Sequence, residues 1–95
     1  RPGLVVWAAA RAPGAVELVV ELGFDVNAFG RADVPVEQEW QTALHHSAGE
    51  GDVELTRRLL ALGADRTLRD RRFDATPRDW ALHFDQWPAA ELLDQ

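Results

Sequence analysis

The chain has 95 residues, of which 46% are hydrophobic and 27% charged, with a formal net charge of −6. That leaves room for one domain with one modest core, and the acidic balance argues against general nucleic-acid binding, which needs a basic face to neutralise phosphates. There is no Cys, which excludes a disulfide framework, a thiolate nucleophile and a thiolate zinc site; no apolar run approaches the roughly 18 residues of a membrane span.

The chain contains no Met, and all ten basic residues are Arg. The first fact leads us to expect a fragment, a processed product or an excised domain. The second, with abundant Ala, leads us to expect a GC-rich, bacterial source. A cytoplasmic location is expected.

The first predicted element, Leu4-Val5-Val6-Trp7-Ala8-Ala9-Ala10, is a helix with no polar outer face. Its other reading, a signal h-region, lacks a clear small-residue cleavage context. Next, Val16, Val19 and Val20 mark a helical stripe that runs into Leu22-Gly23-Phe24-Asp25. A loop follows, rich in acids and bracketed by Phe29 and Gln41. Thr42-Ala43-Leu44-His45 then opens a short helix, with Thr42 as its N-cap. Gly49-Glu50-Gly51-Asp52 reads as a turn. Leu55, Leu59 and Leu62 give a second stripe, which ends in Leu62-Gly63-Ala64-Asp65. Gly23 and Gly63 therefore stand where a helix end needs positive φ. Arg66 to Asp74 is a basic loop, and Thr76-Pro77 opens a further helix with Pro at its first position. Thr42 and Thr76 are 34 residues apart.

These motifs resemble the ankyrin repeat, which recurs about every 33 residues and opens with Thr-Pro-Leu-His-x-Ala. Thr42-Ala43-Leu44-His45 matches with one change. Leu59-Leu60-Ala61-Leu62-Gly63-Ala64-Asp65 and Gly23-Phe24-Asp25-Val26-Asn27-Ala28 match the stretch that closes the unit. Asp79 stands where His is usual, and Trp40 where Gly is usual. The resemblance implies an all-α solenoid of stacked helix-turn-helix units with β-hairpin or loop fingers. A single domain over 1–95 would hold about 2.5–3 repeats, approximately 1–30, 31–70 and 71–95. It also implies that His45 is structural, bonding to the Thr42 region and a neighbouring loop. The third unit is expected to stop before a full second helix.

The chemistry-bearing residues do not assemble a catalytic pattern. His45 and His46 are adjacent, so on a helix they point roughly 100° apart and cannot share a metal. His46 and His83 are expected at the surface or in a groove. Ser47 is the only Ser, and no phosphate-binding glycine loop is present. Catalytic residues, cofactor and metal are therefore all expected to be absent. The rivals to a protein-binding module are the C-terminal regulatory or oligomerisation region of a larger enzyme and, behind it, a small metal- or His-dependent hydrolase.

Contact residues are expected on the two fingers. The first, 29–41, is about seven residues longer than the family's usual hairpin, and long loops in compact repeats are more often functional than not. Between Arg57 and Pro77 lie six Arg and three Asp, whereas Arg31 to Thr56 holds one Arg and six acids. Pairing of these opposite charges is worth only about 0–1 kcal/mol per exposed pair, which does not explain the extension. The expected partner-binding residues are Val34, Val36, Trp40, Glu50, Arg69, Arg71, Arg72 and Phe73. Trp40 and Phe73 would serve as anchors, and the three Arg would take acidic groups. Trp7 and Trp80 are expected in the core or between repeats, and Trp87 at the start of the last helix. The partner would be another protein, with neither nucleic acid nor membrane involved. The apolar first helix is expected to meet upstream repeats or to drive self-association.

Overall fold

The computed structural model describes residues 4–30 and 40–94. Val34 and Val36 lie outside the described residues. Six α-helices are present among those described: α1 (Leu4–Arg11), α2 (Val16–Glu21), α3 (Ala43–Glu50), α4 (Val53–Ala61), α5 (Pro77–His83) and α6 (Trp87–Leu93), with a 3-10 turn at Pro13–Ala15 before α2. They pack as the pairs α1/α2, α3/α4 and α5/α6, and α3 lies between α1 and α5. None is long and apolar enough to cross a membrane.

The middle position of α3 follows from its composition. Ala43, Leu44, His45, Ser47 and Ala48 are all buried. Four of these five side chains are either no larger than a methylol group or able to hydrogen-bond, so helices can approach on both flanks without stranding a polar atom. On one flank α1 contributes Val5, Val6, Ala8 and Ala9, and on the other α5 contributes Ala81. The outer helix α4 buries Leu55 and Leu59 on one stripe and turns Glu54 and Arg57 to solvent. Each Leu so buried contributes about 1.5–3 kcal/mol.

Both helices that open with Thr are closed by a capping box. The Thr42 side chain accepts from the His45 amide, and the His45 ring accepts from the Thr42 amide. Asp79 does the same for Thr76, so the acid that replaces His keeps the local function of the motif.

Helix ends repeat as well. The amides of Phe24, Asp52, Ala64 and Gln86 reach back to the carbonyls of Val19, Ser47, Leu59 and Ala81. This closure needs a left-handed residue just before the bonding amide. Gly23 (φ 102°), Gly51 (73°) and Gly63 (96°) supply it, and Asp85 (58°) does so at the end of α5. Gly51 has a second constraint: a Cβ there would run into the Gln86 side-chain amide.

The successive pairs are tied together by polar contacts at both edges. Asn27 accepts from the Asp65 amide at 2.7 Å and donates to the Gly63 carbonyl at 3.3 Å. Arg58 of α4 forks onto the Glu17 carboxylate of α2, with Nε to Oε2 at 2.7 Å, and also donates to the Pro13 carbonyl at 2.6 Å. The Arg58 hydrogen bonds hold the Glu17 carboxyl down at about 2 against the pull of its partial burial.

Three expectations need correction. Gly49 and Glu50 are the last turn of α3, so the turn is confined to Gly51 and Asp52. A Cβ on Gly49 would lie 3.3 Å from Trp80, and the glycine is used for that close approach. Trp7 is not core: it is 38% exposed, on the opposite side of α1 from its buried Val and Ala residues. The third pair does have its second helix, because Trp87-Pro88 starts α6 and Ala89, Ala90 and Leu93 bury it. The apolar first helix is largely covered by its own chain, through contacts with α2 and α3; Trp7, Leu18 and Leu22 are left exposed.

Candidate functional site

The segment between α4 and α5 forms a projection built around one acid. Asp70 is 3% exposed. Its Oδ1 accepts from the Arg72 amide at 2.8 Å and from the Phe73 amide, and its Oδ2 accepts from the Ala75 amide at 3.2 Å and the Trp80 indole at 2.7 Å. Burial pushes the carboxyl upward, but these donors outweigh it and hold the group below the usual carboxylate range. The Asp70 amide closes the base of the loop on the Ala75 carbonyl at 2.8 Å. That carbonyl also accepts from His45 Nε2 at 2.8 Å. The projection is thereby fixed to α3 and α5.

The His45 bonds define its tautomer. The Thr42 amide donates to Nδ1 at 3.2 Å and the Thr42 hydroxyl lies 2.7 Å from the same nitrogen. Nδ1 is then an acceptor, the proton sits on Nε2, and the ring is neutral. Burial depresses its pKa, although Asp70 and Asp79 and the Ala75 carbonyl pull the other way.

Around this frame the aromatic residues gather. Trp40 lies 5.4 Å from Phe73 and 5.5 Å from Trp80, centroid to centroid, and Trp80 lies 5.5 Å from His45 and 6.3 Å from Phe84. Trp40, Phe73, Trp80, Phe84 and His83 line an open groove of about 460 Å³, with Ala75 and Asp79 completing its wall. Phe73 is 63% exposed at its lip. The Arg72 guanidinium sits 5.4 Å from both the Trp40 and Phe73 rings, and that of Arg71 lies 4.1 Å over Phe29. Arg69 donates to the Asp74 carbonyl at 3.0 Å, with the Asp74 carboxylate 4.0 Å away.

The residues that flank the first finger lie at the neighbouring edge. Gly30 and Gln41 pair in an antiparallel bridge, with amide-to-carbonyl distances of 2.7 and 3.2 Å. The Arg71 amide donates to the Trp40 carbonyl at 2.8 Å. The flanks of the first finger are thus joined to the loop between α4 and α5, through Trp40, Arg71 and Phe29.

The arrangement of α3, its His-closed cap, the Gly51 turn, α4 and the Gly63 closure coincides with a known family. Residues 39–71 match the family model of the ankyrin repeat. Residues 39–71 are an ankyrin repeat. No curated protein matches the sequence. Ankyrin repeats are, in general, protein–protein interaction modules and typically have no enzymatic activity. The matched repeat contributes Trp40 and the start of the second finger to the groove, while Phe73, Trp80, His83 and Phe84 come from beyond it.

Of the expected contact residues, Trp40, Phe73 and Arg72 come together and Arg71 stands beside them. Arg69 is turned toward Asp74. Glu50 is exposed at the end of α3, where its carboxylate is 4.0 Å from His46 Nε2, and is not in the aromatic cluster. His83 does line the groove. Sequence reasoning missed Asp70, Trp80 and Phe84. Asp70 carries a legible signal, since an acid two residues before Arg72 and three before Phe73 is placed to cap a turn. The position of Phe84 has none, because it depends on how α5 lies on α3. Among the described residues, no three or more His, Asp or Glu side chains are grouped to hold a metal.

Proposed function

We propose that the chain is a protein-binding module, a single domain over 1–95, whose three helix pairs are successive units of an ankyrin solenoid of about 2.5–3 repeats. The boundaries 1–30, 31–70 and 71–95 follow from the 34-residue spacing of Thr42 and Thr76 and the recurrent closures at Gly23 and Gly63. The partner lies across the two fingers and into the aromatic groove. Trp40 and Phe73 anchor it, with Trp80 and Phe84 behind them and Arg71 and Arg72 at the rim. Val34 and Val36 of the first finger belong to this reading on sequence grounds, whereas Glu50 is assigned to its pair with His46.

The observation that supports this reading best is Phe73, held out at 63% exposure by a loop whose amides converge on Asp70. Exposing an aromatic ring loses the stabilisation that burial would bring, and fixing it there lowers the ordering cost of a contact. Binding rather than catalysis fits the chemistry available: His45 is locked in structural bonds, and Ser47 is bonded to Thr56 at 2.9 Å.

The test is selection of displayed genomic fragments from the source organism on the immobilised chain, with the Phe73→Ala/Trp80→Ala variant as counter-selection. Fragments that bind the native chain and lose at least about tenfold, or 1.4 kcal/mol, on the variant support the reading. Fragments that bind both equally well would place the interface elsewhere.

A further inference from the structure

We infer that the segment seated in the groove is acidic: a short stretch of the partner that carries a large apolar side chain with carboxylates beside it. The inference rests on the groove being a binding site and adds the chemistry of its occupant. The groove itself asks for the apolar side chain, because four of its lining residues are aromatic. The rim decides the charge.

Arg69, Arg71 and Arg72 are all exposed, and Arg72 stands beside the groove rings of Trp40 and Phe73. Arg71 is stacked on Phe29 at 4.1 Å, and Arg72 lies 5.4 Å from both Trp40 and Phe73. Stacking occupies the flat face of a guanidinium and leaves its N–H groups, which lie in the plane, free to meet a carboxylate. It also orients the cation before the partner arrives. Among the described residues neither Arg71 nor Arg72 has a carboxylate partner.

Among the described residues the acids nearby do not pair with Arg71 or Arg72. Asp70 is turned inward onto four N–H donors. Asp74 faces Arg69, and the Asp79 carboxylate accepts from the Thr76 amide at 3.0 Å. A basic segment is disfavoured for the same reason. The Trp40 and Phe73 rings, which would otherwise attract a cation, already have Arg72 beside them. The whole chain carries −6, but charges more than about 8–10 Å away are largely screened at physiological salt, so the groups nearest the groove set the local field.

A random dodecapeptide library displayed on phage and selected on the chain tests this. The recovered peptides are resynthesised with a fluorophore and titrated by anisotropy against three proteins: the native chain, Arg71→Gln/Arg72→Gln and Phe73→Ser. All three substitutions are at exposed positions, and circular dichroism confirms an unchanged fold. The expected result is enrichment of Asp and Glu next to Trp, Phe or Leu. Binding should weaken at least about tenfold on the Arg double variant and fall as salt is raised. Neutral or basic peptides that lose affinity only on Phe73→Ser would overturn the acidic assignment and leave the groove as a binding site. Acidic peptides that bind the Arg double variant as tightly as the native chain would overturn it too, as would recovery of no peptide at all; the genomic-fragment selection reports separately on whether the groove binds protein.

Discussion

Asp70 is a buried carboxylate that is satisfied by N–H groups alone, three from its own loop and one from the Trp80 indole. Asn at this position has the same shape but presents an NH2 group where the carboxylate accepts, so donor meets donor. Asp70→Asn should cost about 1–3 kcal/mol of stability and release Trp80, read as a lower urea midpoint with a red-shifted tryptophan emission. A midpoint within error of the native chain would show that the loop does not depend on this acid. His45 and His46 make a prediction of the same pH sense as the carboxylates, in a window nearer neutrality. Burial lowers both pKa values below 6.5, so below that value the unfolded chain takes up more protons than the folded one. Stability should be flat above neutrality and fall as pH drops below about 6.5, by at most about 1.4 kcal/mol per pH unit for each ring. Melting curves between pH 8 and pH 5.5 check the sign. A melting temperature that rises on acidification would contradict the neutral, Nε2-protonated His45. The Glu17 contribution has its own window: it is present above about 4.5 and lost as pH falls toward 2.

At the level of elements, the helix ends are the most regular feature, and one of them is imperfect. Asp85 holds φ 58° at the end of α5, where the other three closures use Gly. A left-handed non-glycine residue costs about 1–2 kcal/mol, and glycine gives back roughly 0.5–1 kcal/mol through unfolded-state entropy. Asp85→Gly should therefore stabilise by about 0.5 kcal/mol, seen as a melting temperature raised by a few degrees. A decrease would mean that the Asp85 side chain contributes more than its backbone costs. Elements of this kind were legible in the sequence because they are local: Thr42 and Thr76 cap, Pro77 starts a helix, and Gly23 and Gly63 end one. The last turn of α3 was misread for a physical reason. Gly49 is unfavourable in an isolated helix, and only the approach of Trp80 and Phe84 explains it. Trp7 is expected inside because it falls in a helix, but it sits on the side of α1 opposite its buried residues.

Across the whole molecule, each helix pair buries its inner face against the next, and α3 in the middle carries most of the load of packing small residues. The edges are stitched by Asn27 to the Gly63 turn and by Arg58 to Glu17. The site arises from this stacking and from no single unit: the first finger ends at Trp40, the second presents Arg72 and Phe73, and α5 supplies Trp80, His83 and Phe84. That explains why the candidate site was only partly readable. Residues on the fingers announce themselves by exposure-prone composition, whereas Trp80 and Phe84 join the site through a helix–helix contact that spacing does not encode. The four Trp residues now divide usefully, with Trp40 and Trp80 in the groove and Trp7 and Trp87 exposed away from its lining. Their indole N–H signals in a 1H–15N correlation spectrum, followed as a selected partner fragment is added, test the central claim most directly. The account predicts that the Trp40 and Trp80 indoles and the Arg72 and Phe73 amides shift together with one saturation curve, while Trp7 and Trp87 stay in place. Shifts at Trp7, Leu18 and Leu22 with an unchanged Trp40 and Trp80 would contradict it and move the interface to the first helix pair.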